Sequence, residues 1–553
     1  MNRSPLLRRA VAVAVLGATG LVAPSPGALP FPDYFKQRWR GPVVRVRNIE
    51  GVSDRIRDGK LYLRLKDFLV LVLKNNTEIQ MTRLDVLTAA DAIVSAKAPF
   101  DPLLGVNFNA MRSEQPQYSQ ISGADQLNNL YHQAQASYQQ TFSSGQTVNV
   151  EFSTYRSSSN NRFAFFNPYI ATGLNLSLTQ PLLQNRDRIQ LRAPLEIART
   201  QLLITSELSE ARIADLAASA ARQYWDAVQA RDNIRVQQLA VDLAQKSYER
   251  DRMALDLGAL SPLEIYQSQS QVAQRKVGVI QAQSQYLDLL DSLRRLIGAD
   301  LDPATRNVEI VLDDDPSWLP ASPARPAEEA ISQALANRPE MRLARRRIGI
   351  DELNARLARN SMLPRFDLGV QFGGAGLGGN QVPVESPLGG GPTTFVAGGL
   401  GDALHQLFAF SSPFYGFSIQ MTLPVRSSTA QASLADALVN RSRDQYQQRQ
   451  LEQQIIQEVK SALNQLDTGG QQIEAAKVAR DLAQKNVEAQ QQKYEIGGIT
   501  AFELLDAQNR LANVEAALVA AYNGYQKSLI AYQRANWTLL DGMGVLVEVP
   551  QVK

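Results

Sequence analysis

Residues 257–269 read LGALSPLEIYQSQ, and residues 496–508 read IGGITAFELLDAQ. The two stretches align without a gap at an offset of 239, and the match continues upstream, where residues 243–249 read LAQKSYE and residues 482–488 read LAQKNVE. In both, glycine (Gly258 in one, Gly497 and Gly498 in the other) closes a long helical pattern, as the left-handed C-cap position favours. A hydroxyl then stands three residues before a glutamate, Ser261 before Glu264 and Thr500 before Glu503, which is the spacing of a capping box. Pro262 takes the first helical position. One unit, a long helix, a glycine turn and a second helix, is therefore used twice.

The helical patterns around these turns are too long for a compact domain. At about 1.5 Å per residue, residues 194–256 span about 95 Å and residues 427–495 about 100 Å. The segments after the turns, 262–297 and 501–540, reach only about half as far, so each needs a second short helix laid end to end with it. Residues 262–297 are expected to be completed by 327–360, and 501–540 by 65–96. The two short helices carry a matching segment, for Asn75, Asn76 and Glu78 resemble Asn337, Arg338 and Glu340. Their long partners are rich in Ala and Gln, with modest apolar stripes such as Leu239 and Leu243, or Val478 and Leu482. That composition suits close helix packing beside water.

Between the helical segments the period changes from 3.6 to two. Leu174, Leu176 and Leu178 alternate with Asn175, Ser177 and Thr179, while Phe417, Ile419, Met421 and Leu423 alternate with Ser418, Gln420 and Thr422. Partner strands are marked by Val106 and Phe108 against Asn107 and Asn109, and by Leu368, Val370 and Phe372 against Gly369 and Gln371. An apolar face opposed by an uncharged polar one is what a membrane barrel with a wet lumen requires, although a soluble antiparallel sheet also alternates. Aromatic clusters at Phe163, Phe165, Phe166 and Tyr169, and at Phe408, Phe410, Phe414 and Tyr415, suit an interfacial girdle. Residues 373–401, rich in Gly and Pro, read as an exposed loop. A further hairpin, 138–142 and 148–152 around Ser143, Ser144 and Gly145, either lengthens the barrel or stands above it.

Composition removes other classes of function. A net charge of +3 over 553 residues leaves no footprint for nucleic acid, and a basic run such as Arg345 to Arg347 reads as a solvated helix face. With no cysteine and only His132 and His405, zinc, iron–sulfur and thiol chemistry are excluded. No nucleophile, base and acid fall into a catalytic pattern, so no enzyme and no cofactor are expected. Arg3, Arg8 and Arg9 precede the apolar stretch 10–22, which Pro24, Ser25, Pro26 and Gly27 follow. This is the pattern of a secretory signal peptide cut near Ala23 or Ala28. No later stretch supplies the roughly 20 apolar residues of a spanning helix. The acidic run Asp313, Asp314 and Asp315 reads as a solvated connector rather than a calcium loop.

Residues 61–540 resemble the outer-membrane efflux protein family, the TolC-like channels, through LKDFLVLVLKNN at 65–76, LTQPLL at 178–183, RQYWDAVQA at 222–230 and the two turns. The resemblance implies an α+β membrane protein, a homotrimer in which each chain gives four strands to a twelve-stranded outer-membrane β-barrel that continues into a long periplasmic α-helical barrel. Implied partners are a periplasmic adaptor, an inner-membrane pump or ABC transporter reached through it, and outer-membrane lipid. The expected function is a passive exit duct for tripartite efflux or type I secretion. The alternative is an envelope-spanning structural or adhesin-like coiled coil without channel activity.

On this basis the chain divides into a signal peptide (1–28), an N-terminal extension (29–60), a helix of the first repeat (61–98), barrel strands with a first external loop (99–183) and a long hairpin (184–300). A connector at the tunnel waist (301–326) leads to a helix of the second repeat (327–363), strands with a second external loop (364–426), a second hairpin (427–541) and a tail (542–553). The resemblance also places the closed periplasmic gate at the hairpin turns, with Asp506, Glu503, Glu264 and Tyr494 as gate residues. Leu257, Gly258, Ala259, Ile496, Gly497 and Gly498 are the expected adaptor-docking turns. Glu264 and Glu503 already have a structural role as caps, whereas Asp506 lies beyond the first turn and matches a family acidic ring. Ile499 stands where some members carry a gate arginine, so a copied salt-bridge lock is not expected.

Overall fold

The computed structural model describes residues 46, 49–116, 124–186, 188–258, 262–317, 326–382, 394–496 and 498–542. The expected signal peptide, most of the extension 29–60, the tail beyond 542, Ala259 and Gly497 lie outside the described residues. All elements belong to one unit, Glu50–Lys553. Strands β1 (Ile56–Arg57) and β2 (Lys60–Leu63) lead into helices α1 (Leu65–Asn75) and α2 (Thr77–Lys97). Four strands follow, β3 (Leu103–Pro116), β4 (Gln126–Thr141), β5 (Thr147–Ser159) and β6 (Phe166–Pro181), then the hairpin α3 (Ile189–Asp256) and α4 (Pro262–Leu296). After β7 (Glu309–Leu312) come α5 (Ala327–Asn337), α6 (Pro339–Ser361), β8 (Arg365–Gln381), α7 (Leu400–Phe408) and β9 (Ser412–Thr422). The second hairpin is α8 (Ser428–Glu495) and α9 (Ala501–Ala535), followed by the short α10 (Leu539–Gly542).

The duplication is literal in the helices. Both α3 and α8 have 68 residues and both α4 and α9 have 35, and each bound of the second hairpin falls 239 positions after its counterpart. At 68 residues a helix is about 100 Å long. The buried side of α3 is mostly alanine, including Ala214, Ala217, Ala218 and Ala221, and such small side chains let neighbouring helices approach closely. Among the described residues no helix is long and apolar enough to cross a membrane.

The short helices do lie end to end with α4 and α9, but with exchanged partners. Asn76 caps α2 by accepting from Glu78 N and Ile79 N, and its amide donates to Leu296 O at the end of α4 (3.3 Å). Residues 77–97, not 327–360, therefore complete α4. At the end of α9, Arg534 reaches Glu340 (2.9 Å) and Asn536 reaches Gln333 (3.2 Å), so α5 and α6 complete α9. Both short helices break at matching positions, so the break alone could not choose between them; the polar partners at each junction do.

A small sheet in the order β1-β2-β7, with β2 and β7 parallel, joins the chain's start to its middle. The acidic run beside β7 is exposed at Asp313 and Asp315, as a solvated connector would be, and also supplies specific partners. Asp314 accepts from Leu65 N at the start of α1 (2.6 Å) and from the Tyr224 hydroxyl (2.7 Å), while Asp313 pairs with Arg64 (3.0 Å). Tyr224 is fully buried and also donates to Leu63 O (3.0 Å). Burial, with the Asp314 carboxylate beside it, pushes its phenol far above the ordinary range.

The large sheet runs β3-β4-β5-β6-β8-β9, antiparallel throughout. It has six strands among the described residues where four were expected, because the hairpin around Ser143 and Ser144 extends to Gln126 and Ser159 and lies inside the sheet. The registers put the expected apolar residues on one face, apart from Leu423, which lies just beyond β9. Val106 opposes Ala136, Ala136 opposes Phe152, Phe152 opposes Leu174, and further down Leu178 opposes Val370, which opposes Phe417. The other face carries Asn107, Gln135, Ser153, Ser177, Gln371 and Ser418, in line with the period-two pleat. Both aromatic clusters lie at the end of the sheet remote from the helices, where β6 begins and where α7 leads into β9.

Residues 373–381, expected as loop, continue β8. The glycines there seat α7 on the apolar face: a Cβ at Gly376 would lie 1.9 Å from Ala403 O, and Thr172, its cross-strand neighbour, donates its hydroxyl to the same carbonyl (3.1 Å). Composition alone suggested a loop because a glycine run reads the same whether it is open or tightly packed.

Candidate functional site

Among the described residues, the glycine ends of the long helices and the second capping box form as the turn motifs require, while residues 259–261 lie outside the described residues. Gly258 has φ +76°, the left-handed C-cap conformation, and its N–H bonds Leu255 O (2.9 Å). At the other turn Gly498 N donates to Lys493 O (2.8 Å), and Thr500 and Glu503 form the reciprocal capping box, with Thr500 N donating to Glu503 (3.0 Å). Capping is thus what Glu503 does in this structure. The Glu264 side chain lies outside the described residues. Both turns expose bulky apolar groups: Leu257 is 85% and Ile496 84% exposed.

About two helical turns inward of Gly258, all four long helices converge around Asp251, a residue not singled out in the sequence. Asp251 of α3 is 4% exposed. It accepts the Tyr494 hydroxyl of α8 (2.8 Å) and a hydrogen bond from Ser268 of α4. Arg250 lies 5.9 Å from the Tyr494 ring and 3.8 Å from Glu495, and donates to Ser247 (3.1 Å), to which Gln508 of α9 also donates (3.2 Å). The cavity at the centre holds only about 40 Å³, room for a water and not for cargo. The buried carboxylate takes one donor from within its own hairpin, Ser268, and one from the other hairpin, Tyr494, and the second of these ties the hairpins together with a charge-assisted bond worth about 1.5–3 kcal/mol. Of the expected gate residues, the structure brings Tyr494 into this cluster. Asp506 stands apart on α9, about half exposed and paired with Arg510 one turn on (2.8 Å).

A second polar hub joins the helices farther along. Glu340 of α6 accepts from Arg338 (3.1 Å) and from Arg534 of α9 (2.9 Å), Arg338 also meets Glu458 of α8 (2.6 Å), and Arg534 meets Asp215 of α3 (2.6 Å). Burial pushes the Glu340 carboxyl upward, but the hydrogen bonds and charges of the two arginines outweigh it and hold the group down to about 2. The folded-state value lies below the ordinary one, so its stabilisation is complete above about pH 4.5 and lost as pH falls toward 2. Thermal unfolding followed by circular dichroism is expected to show a steeper loss of Tm across that window in the parent than in Glu340→Gln, with a contribution of at most about 3 kcal/mol before solvent screening. Parallel Tm profiles would remove Glu340 from this role.

A one-faced apolar sheet, continued by helices of about 100 Å tied together at their tips, defines a class: an α+β channel protein with a membrane sheet and a helical tunnel wall. The outer membrane efflux protein family matches residues 133–299 and 330–535, and the chain belongs to that family. It is thereby a non-enzymatic protein of the outer membrane, with its helices on the periplasmic side. Among curated relatives, the pyoverdine export outer membrane protein OpmQ of Pseudomonas putida is 25% identical over 304 residues, 53% of this chain and 55% of that protein. The toluene efflux pump outer membrane protein TtgC of the same species is 25% identical over 315 residues, 55% of this chain and 56% of that one. The chain thus spans about half the length of these relatives. The fold is similar to that of a membrane protein from Pseudomonas aeruginosa (18% identity, TM-score 0.60, covering 93% of this chain and 99% of the other). It is also similar to the Campylobacter jejuni CmeC outer membrane channel (16%, 0.59, covering 91% and 90%).

Proposed function

We propose that the chain is the trimeric outer-membrane exit duct of a tripartite efflux pump or type I secretion system, passing substrates passively from periplasm to exterior. The observation that carries this is the large sheet, apolar on one face and polar on the other, whose two outermost strands have no further neighbour among the described residues and whose other ends run directly into tunnel-length helices. The relatives named for pyoverdine export and toluene efflux support the efflux arm. A periplasmic adaptor docks at the turns holding Leu257, Gly258, Ala259, Ile496, Gly497 and Gly498, and couples the duct to an inner-membrane pump or ABC transporter. Asp251 and Tyr494 hold the entrance closed, with Glu503 and Glu264 as caps and Asp506 as the charged ring. The test is purification from outer membranes: a complex of three copies that conducts ions in planar bilayers is expected, and a monomer without conductance overturns the reading.

Docking has its own test. Leu257→Asp and Ile496→Asp each remove an exposed apolar group worth about 1.5–3 kcal/mol when buried at an interface. Each is expected to weaken adaptor capture at least tenfold and to stop export while trimers form normally. Undiminished capture by both variants would move the docking surface elsewhere.

A further inference from the structure

Strands β3 and β9 end the sheet, and nearly every residue along both is exposed. They are 14 and 11 residues long. Long unpaired edges of this kind are templates for strand addition. Because the sheet has an even number of antiparallel strands, β3 and β9 run in opposite directions, so β9 of one copy meets β3 of the next in antiparallel pairing.

The registers already contain the stagger of a closed barrel. Leu103 opposes Gln139, which leads through Asn149, Ser177 and Gln371 to Gly416. Leu103 begins β3 at the helix end of the sheet, yet Gly416 lies six residues short of Thr422, where β9 ends on that side. Six residues at about 3.3 Å make about 20 Å of rise, over about 29 Å of width for six strands at about 4.8 Å. The slope is about 35°, within the roughly 35–45° tilt of closed barrels.

We propose that β3 and β9 of neighbouring copies pair, with Leu103 opposite Thr422 or one pleat further on, to close an eighteen-stranded barrel in which the hairpin β4–β5 of each copy is wall rather than ornament. The proposal rests on the trimer of the reading above, which supplies the factor of three. Its consequence is a wide outer-membrane segment. At the same tilt, eighteen strands enclose a backbone diameter of about 34 Å against about 22 Å for twelve, and barrels of this strand number hold open aqueous channels. Faces match across the seam in either register: Asn107 of the polar face meets Ser418 or Gln420, and Val106 and Phe108 fall beside Phe417, Ile419 or Met421, so the apolar band is unbroken around the barrel.

The chain has no cysteine, so engineered pairs report without background. In the full-length protein in outer membranes, Asn107→Cys combined with Ser418→Cys, or with Gln420→Cys, is expected under mild oxidation to convert most subunits into covalent dimers and trimers in one of the two registers. Asn107→Cys with Ser177→Cys joins β3 directly to β6, a pairing that only a twelve-stranded wall with β4–β5 outside it allows, and no link is expected. Deletion of residues 126–159 is expected to narrow the barrel ring by about one third in end-on electron micrographs. Trimers that link 107 to 177, or that link through neither seam register, overturn the eighteen-stranded wall and leave the duct reading standing. Absence of any oligomer overturns both.

Discussion

Leu176→Arg is expected to remove the protein from the outer membrane almost completely, whereas Ser177→Arg, one residue away, leaves most of it there. Leu176 shares its face with Val150 on one side and Phe372 on the other, and it is 43% exposed in the single chain, as a group waiting for lipid would be. An arginine on the lipid face near the bilayer midplane costs about 2–4 kcal/mol, and three copies incur that cost three times in the proposed trimer. Ser177 faces the polar side with Asn149 and Gln371, where a guanidinium remains hydrated. Ile419→Arg against Ser418→Arg should repeat the contrast at the other end of the sheet. Val150→Arg should behave like Leu176→Arg only if β5 is barrel wall, so it separates a six-strand contribution from a four-strand one. Heat-sensitive trimer bands in outer-membrane fractions are the measurement. Equal yields from the two faces would sink the membrane assignment.

What could be read from the sequence followed the strength of the local signal. The helix bounds and the faces of β6, β8 and β9 were legible because Leu174 to Leu178 and Phe417 to Leu423 alternate strongly, and because a repeat at constant offset leaves little freedom. The length of the β4–β5 hairpin was not. Its apolar face is partly Ala134 and Ala136, and its polar face is Gln133, Gln135 and Ser137, so alternation in pleat hardly registers as alternation in hydropathy. The pairing of short helices was crossed because both breaks look alike, while the deciding contacts, Asn76 to Leu296 and Arg534 to Glu340, join residues 220 and 194 positions apart. Asp251 was legible in one respect that went unused. At the repeat offset it faces Gln490, and Tyr494 faces Leu255. The residues that bind the two hairpins together are thus ones the copies do not share.

Asp251→Ala is expected to raise the resting conductance of purified trimers by roughly tenfold or more without lowering their thermal stability in proportion. The carboxylate is buried and takes hydrogen bonds from Tyr494 and Ser268, with the Arg250 guanidinium beside it over the Tyr494 ring. Removing it deletes the one charge-assisted bond that crosses between the hairpins, from Tyr494, worth about 1.5–3 kcal/mol, and the bond from Ser268 within the first hairpin, and leaves the Arg250–Glu495 pair (3.8 Å) as the remaining polar tie there. A closed-to-open balance shifted by even 1.4 kcal/mol moves tenfold. Tyr494→Phe deletes the same bond between the hairpins and keeps the one from Ser268, so it should open the entrance to a similar extent. Asp506→Asn should act differently, because Asp506 is paired with Arg510 on its own helix. Its loss should reduce cation selectivity and block by millimolar divalent ions, with resting conductance unchanged. Recording all three variants at one voltage and salt separates a latch from a charged ring, because the latch changes how often the pore is open and the ring changes which ions pass. If Asp251→Ala rests as tightly closed as the parent, the cluster is packing between hairpins and the gate lies elsewhere.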